Sequence, residues 1–198
     1  MSRIENARRP RGIGGILTLR RMNKGAHARL SEWGFVHFTV ECKDDCLDIG
    51  CGGGANLKRL LSKSTHGTVT GVDYSETSVS KSIRTNRSAV KAGRCRVVQG
   101  DVMDLPFEDE SFDIVTAFET VYFWPDIGEA FKGVFRVMRP GGMLMVCNEA
   151  DGENSEDLEW THEAGLRVYS KDELTEALEK RASPIYAWRG SPRSAGSP

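Results

Sequence analysis

Cys46-Leu47-Asp48-Ile49-Gly50-Cys51-Gly52-Gly53-Gly54-Ala55-Asn56 is the stretch whose reading decides the fold. A short apolar strand runs into a glycine-rich loop, and the loop opens a helix. Glycines let a backbone turn tightly and let a ligand approach without side chains in the way. A helix that begins there presents unbonded N–H groups and the positive end of its dipole. The stretch therefore predicts the mouth of a nucleotide-type site. A second strand, Thr68-Val69-Thr70-Gly71-Val72-Asp73, ends in an acid about twenty residues past the loop, where a carboxylate can accept both hydroxyls of a ribose.

Gly50, Gly52 and Ala55 also satisfy the dinucleotide pattern G-x-G-x-x-A, so these two segments alone fit a nicotinamide and an S-adenosyl cofactor equally. Three further segments separate the two: Gly100-Asp101-Val102-Met103-Asp104-Leu105-Pro106-Phe107, Phe112-Asp113-Ile114-Val115 and Arg136-Val137-Met138-Arg139-Pro140-Gly141-Gly142. With Asp48-Ile49-Gly50-Cys51-Gly52 they resemble, in order and spacing across roughly residues 44 to 149, the motifs of class I S-adenosylmethionine-dependent methyltransferases. The resemblance is strongest to the small-molecule branch (methyltransferase type 11), which includes the ubiquinone and menaquinone C-methyltransferase-like enzymes.

That resemblance implies an α/β fold: a Rossmann-like, doubly wound, mostly parallel sheet in three layers, with S-adenosylmethionine as cofactor. Gly50, Cys51, Gly52 and Gly54 would lie along its methionine part, supported by Asp48 at the strand end. Asp73 would accept from the ribose hydroxyls through charge-assisted hydrogen bonds, with Tyr74 beside it. Asp101 would accept from the adenine amine and the Val102 backbone would face a ring nitrogen, while Phe118 and Glu119 would complete the cofactor site. Methyl transfer is an in-line displacement at a carbon activated by a positive sulfur, so positioning supplies much of the acceleration and no covalent intermediate is needed.

Glu119 and Tyr122 are the candidate catalytic residues, Glu119 in a polar role at the cofactor or acceptor and Tyr122 in contact with the sulfonium methyl, through attraction to its ring, or with the substrate. The segment Phe118-Glu119-Thr120-Val121-Tyr122-Phe123-Trp124-Pro125-Asp126 carries an aromatic cluster and an acid where amine methyltransferases of nucleic acids carry an N-P-P-Y type signature. A small, partly apolar acceptor follows, with His27 and Trp33 closing the pocket from the N-terminal side and Asn148 and Glu149 facing the acceptor. Ordinary packing beneath the following helix is the competing reading of Tyr122, Phe123 and Trp124.

The 198 residues fit one domain of ordinary size. A formal net charge of −1 gives no basic surface on the scale nucleic acid requires. No apolar run approaches the roughly 18 to 20 residues of a membrane span, and a cytoplasmic location is expected. The five cysteines, Cys42, Cys46, Cys51, Cys95 and Cys147, match no zinc spacing and read as small buried or loop residues, so no metal is expected.

Along the chain, residues 1–25 read as a basic flexible arm, with seven basic side chains and one acid before Gly25. Residues 26–181 read as the methyltransferase domain and 182–198 as a disordered tail rich in proline, glycine and serine. Helices are expected near 55–63, 75–91, 127–138 and 171–181, and strands near 46–50, 68–73, 94–99, 112–118 and 142–149. Asp126 with Glu129 and Ser170 with Glu173 read as capping boxes, and Pro140-Gly141-Gly142 as a helix stop.

Relatives of this type end in two further strands that cannot be read here. A back-translation of Arg181 to Arg189 shifted by one base gives Ala-Gly-Phe-Ala-Asp-Ile-Arg-Val-Ala, which is the expectation for a reading frame lost near Lys180. Without those strands the fifth strand would be an apolar sheet edge, open to self-association. Two alternatives accompany the methyltransferase reading: a cofactor-binding chain without turnover, and an NAD-dependent oxidoreductase, which leaves the Asp101 segment unexplained.

Overall fold

The computed structural model describes residues 26–151 and 166–180. The expected arm at 1–25, the tail at 182–198 and the shifted-frame segment lie outside the described residues. The elements in chain order are α1 (Ala26–Gly34), β1 (Cys46–Ile49), α2 (Ala55–Lys63), β2 (Val69–Asp73), α3 (Glu76–Thr85), α4 (Arg87–Lys91) and β3 (Cys95–Gln99). They continue with β4 (Phe112–Phe118), a 3-10 turn at Val121–Phe123, α5 (Ile127–Val137), β5 (Met138–Cys147) and α6 (Lys171–Glu179).

The strands form one sheet in the order β3-β2-β1-β4-β5, and every pairing is parallel. Strands buried on both faces read as continuous apolar runs, and β1 is buried along its whole length. One core cluster, centred on Leu47, Val115, Phe131 and Val134, joins the sheet to α5 and α6. A second, centred on Leu57, Leu60, Ile114 and Phe118, joins the opposite face to α2 and to the segment after α1. Burying one such side chain contributes about 1.5–3 kcal/mol, so α5, which buries Ala130, Phe131, Val134 and Val137, is a principal brace of the sheet.

Two elements depart from expectation. The single helix expected over 75–91 is two helices, because Asn86 leaves helical geometry and its side-chain amide donates to the carbonyls of Gly54 (2.9 Å) and Ser82 (3.1 Å). Asn is well suited to such side-chain bonding to the backbone, which competes with helix continuation. The 3-10 turn and Trp124 follow β4, with the indole edge-on to Phe131 at 5.7 Å, so the packing reading of Trp124 holds. Pro140-Gly141-Gly142 does not simply stop α5; it lies inside β5. Between Phe112 and Ile114 of β4, β5 advances from Met138 to Met143, a bulge in which Gly141 takes φ 82°.

The bulge delivers Arg139 to the N-terminal ends of two strands. Its guanidinium donates to Asp113 Oδ2 (2.6 Å) and Asp45 Oδ2 (3.0 Å), and the Asp45 N–H donates to Asp113 (2.8 Å). Partial burial pushes the Asp45 carboxyl upward, yet hydrogen bonds from Thr68 and Arg139 outweigh it and hold it below the ordinary carboxylate range. β5 is also an edge of the sheet, and among the described residues no strand covers its outer side. Ser170 and Glu173 form the complete capping box of α6, and Asp126 accepts from the Glu129 N–H at the start of α5 (3.0 Å).

Asp48 is the one fully enclosed acid of the sheet's centre. Its Oδ1 accepts from the Thr116 hydroxyl of β4 at 2.7 Å, and burial pushes its carboxyl up to about 7. In the unfolded chain an aspartate titrates near 3.9. Between these values the unfolded chain sheds its proton while the folded chain keeps it, so stability falls as pH rises from about 4 to about 7. Asp48→Asn removes this contribution. Thermal melts should therefore show the variant gaining on the wild type across that interval; a constant difference in melting temperature from pH 4 to pH 8 contradicts the assignment.

Candidate cofactor and acceptor site

The C-terminal ends of β1, β2 and β4 meet above the sheet, and the loop from Gly50 to Gly54 turns there through φ 71° at Gly50, 51° at Gly52 and 79° at Gly54. Two of these glycines serve packing as much as access. A Cβ on Gly50 would lie 2.4 Å from Thr120 Oγ1, and one on Gly54 would lie 2.4 Å from Ser82 Oγ and 2.6 Å from Asn86 Nδ2. Gly50 thus lets the loops after β1 and β4 touch, and Gly54 lets α2 start against α3. Thr120 is fixed in turn by the Trp124 indole N–H (3.3 Å).

The loop is fastened to β2 by Asp73, whose Oδ2 accepts from the Gly52 N–H (2.8 Å) and whose Oδ1 accepts from the Ser75 N–H (2.9 Å). Burial raises the Asp73 carboxyl, against the pull of these hydrogen bonds. An ionised carboxylate has about four lone-pair positions, so Asp73 retains acceptor capacity for a vicinal diol. Tyr74 is exposed beside it. Asp101 is exposed and accepts from the Met103 N–H (3.0 Å), shaping the turn after β3. Val102 is partly buried against the core.

A cleft opens between the glycine loop and α1, lined by His27, Ser31, Gly52, Arg59, Phe118 and Glu119 among others. Phe118 stacks on Phe35 with centroids 5.3 Å apart, which seats the chain after α1 on β4. Cys51 also lines the cleft; its thiol lies 3.8 Å from Ser82 Oγ, and burial holds it well above the ordinary range. His27 reaches the cleft as expected, whereas Trp33 does not and packs edge-on to His37 at 4.4 Å. Arg59 and Ser31 were not legible as site residues, since each stands alone on a helix with no motif around it.

Glu119 stands where β4 ends, in the left-handed region at φ 57°. A non-glycine residue held there costs about 1–3 kcal/mol and persists only where its surroundings enforce it. The enforcement is visible: Oε1 accepts from the Tyr122 hydroxyl (3.1 Å) and from the Glu149 N–H, and Oε2 lies 3.6 Å from His27 Nδ1. Burial pushes the carboxyl up to about 7 despite those hydrogen bonds. Tyr122 is buried and does not line the cleft. Its hydroxyl donates to Glu119 and accepts from the Ala150 N–H (3.0 Å), which makes it a brace of the loop after β5. Asn148 Oδ1 is buried there without a hydrogen-bond partner among the described residues. No group of three or more metal-ligating side chains occurs among the described residues.

The parts fit an S-adenosyl compound: a diol acceptor in Asp73, a close-approach loop with no acid in the first turn of the helix it opens, and a cleft leading away from Asp73 toward polar groups. Comparison with known proteins agrees. The methyltransferase domain family (Methyltransf_11) matches residues 47–146. Demethylmenaquinone methyltransferase of Staphylococcus haemolyticus is 31% identical over 73% of this chain and 70% of its own length. O-methyltransferase resE of Aspergillus sclerotiorum is 34% identical over 81% of this chain, which spans 59% of that relative's length. Among solved structures, the methyltransferase bound to the Trm112 activator of Haloferax volcanii superimposes with a TM-score of 0.74 at 25% identity, covering 82% of this chain and 71% of that one. The chain belongs to the methyltransferase domain family, and its cofactor is S-adenosylmethionine.

Proposed function

We propose that the protein transfers a methyl group from S-adenosylmethionine to a small-molecule acceptor, with Glu119 as the base that takes the proton from the acceptor's nucleophilic atom. The observation that carries this reading is the Glu119 carboxyl itself. It is partly buried, with 14% of the side chain exposed, raised to about 7, and lines the cleft that the glycine loop floors, with Oε2 near His27. A base performs best when its pKa lies near the working pH.

S-adenosylmethionine supplies the methyl group on a positively charged sulfur open to in-line displacement. The chain supplies the rest. Asp73 holds the ribose, the loop from Gly50 to Gly54 admits the methionine part, and Asp48 steadies β1 beneath it. Asp101 and the Val102 backbone serve the adenine. Tyr122 acts as a positioning residue that fixes Oε1 of Glu119, so the sequence-based expectation of contact between its ring and the sulfonium is set aside. The ring of Phe118 in the lining of the cleft favours a partly apolar acceptor. The relatives named as a demethylmenaquinone methyltransferase and as an O-methyltransferase support a small-molecule acceptor. No helix among the described residues is long and apolar enough to cross a membrane, which is compatible with a cytoplasmic setting.

Formation of S-adenosylhomocysteine in the presence of a panel of phenols, quinols and isoprenoid alcohols tests the reaction; tight cofactor binding with no turnover on any of them favours a binding protein without catalysis. With an acceptor in hand, the rate should rise with pH through about 7 as Glu119 ionises. Glu119→Gln should lower kcat roughly 100-fold or more and flatten that rise. Asp73→Ala should weaken S-adenosylhomocysteine by about 2 kcal/mol or more in calorimetric titration, since the ribose loses a charged acceptor; an unchanged affinity counts against the placement. The half-buried apolar run Met143–Val146 of β5, beside which no further strand lies among the described residues, supports self-association. Light scattering should show mass rising with protein concentration, and a constant monomer mass would dismiss it.

A further inference from the structure

α1 is tied across the cleft by two side-chain contacts, and they differ in kind. One is His27 with Glu119, described above. The other joins Glu32 to Arg59 of α2, with the Glu32 carboxylate 3.3 Å from Arg59 Nη2. The Glu32 side chain is 68% exposed and that of Arg59 25% exposed, so solvent weakens the pair and Glu32 is easily exchanged. The other terminal nitrogen, Nη1, has only a contact at the limit of hydrogen bonding, 3.5 Å from Asn56 Oδ1. Among the described residues, Arg59 is the single permanent cation lining the cleft.

An S-adenosyl compound whose ribose rests on Asp73 must send its amino-acid end along the glycine loop and into this cleft, because Asp73 grips the loop at Gly52 and the cleft continues from Gly52 to Arg59. That end carries a carboxylate, and a planar guanidinium is the side chain best matched to one. α2 has no acid in its first turn to compete for the same place.

We infer that Arg59 reads the carboxylate of the cofactor's amino-acid end, and that Glu32 is an internal carboxylate that occupies Arg59 until the cofactor displaces it. The inference rests on the cofactor reading above and deepens it. Cofactor entry then exchanges one carboxylate for another on the same guanidinium and releases the Glu32 tie between α1 and α2. Glu32 therefore weakens cofactor binding in the wild type instead of helping it, the reverse of what a simple strap would do.

The test compares two ligands by calorimetry: S-adenosylhomocysteine, which has the amino-acid end, and 5′-methylthioadenosine, which lacks it. The readout is the ratio of their affinities, which damage to folding or to the adenosine subsite does not move. Arg59→Met should reduce that ratio at least tenfold with 5′-methylthioadenosine affinity unchanged within about twofold, and Arg59→Lys should restore part of the loss. Glu32→Gln should raise the ratio two- to fivefold. An Arg59→Met ratio equal to the wild type, or an equal loss for both ligands, overturns the role of Arg59; a Glu32→Gln ratio that stays level or falls overturns the displacement. A wild-type chain that binds neither compound overturns the cofactor site, and this role with it.

Discussion

β1 lies between β2 and β4, and the chain changes its direction of winding there: β2 and β3 build outward on one side, β4 and β5 on the other. In a parallel sheet this switch obliges the loops leaving β1 and β4 to part, and a crevice opens beyond their C-terminal ends. Everything in the site depends on that divergence. The glycine loop occupies one wall and Glu119 the other, and the two loops stay close enough for Gly50 to touch Thr120. Asp48 and Thr116, hydrogen-bonded across the same two strands, hold the sheet together directly under the opening.

The fold was legible because its signals are periodic or local. Alternating strands and helices, the glycine loop, the acid at the end of β2 and the apolar rows of α5 each depend on residues near in sequence. What was misread depends on residues far apart. Asn86 breaks a helix because it reaches Gly54, a partner no local pattern reveals. Pro140-Gly141-Gly142 resembles a stop, yet the pairing of β5 with β4 absorbs it as a bulge. At the site, Asp73 and Glu119 carried recognisable positions, whereas Arg59 and Ser31 are ordinary helix residues until the topology brings α1 over α2. Gly50 and Gly54 were read as ligand cradles; their missing side chains also make room for Thr120, Ser82 and Asn86.

Glu119 shows how one residue can unite backbone and chemistry. Its left-handed conformation bends the chain at the end of β4, and its carboxyl receives a hydroxyl from the 3-10 turn and an N–H from the segment after β5. Those bonds favour the ionised form, while burial favours the neutral one, and burial prevails. The negative charge of the neighbouring Glu149 adds to the upward push, after burial.

The sheet is divided in labour between its two ends. At the N-terminal ends of its strands, Arg139, Asp45, Asp113 and Thr68 form one cross-strand knot, and none of the four lines the cleft. At the C-terminal ends lie Asp73, Glu119 and the cleft. Natural variation at the knot will alter how firmly the strands are held, while variation at the opposite end will alter the lining of the cleft. The lining of the cleft can therefore diverge among descendants of this chain without disturbing the knot, because none of the knot's four residues lines it.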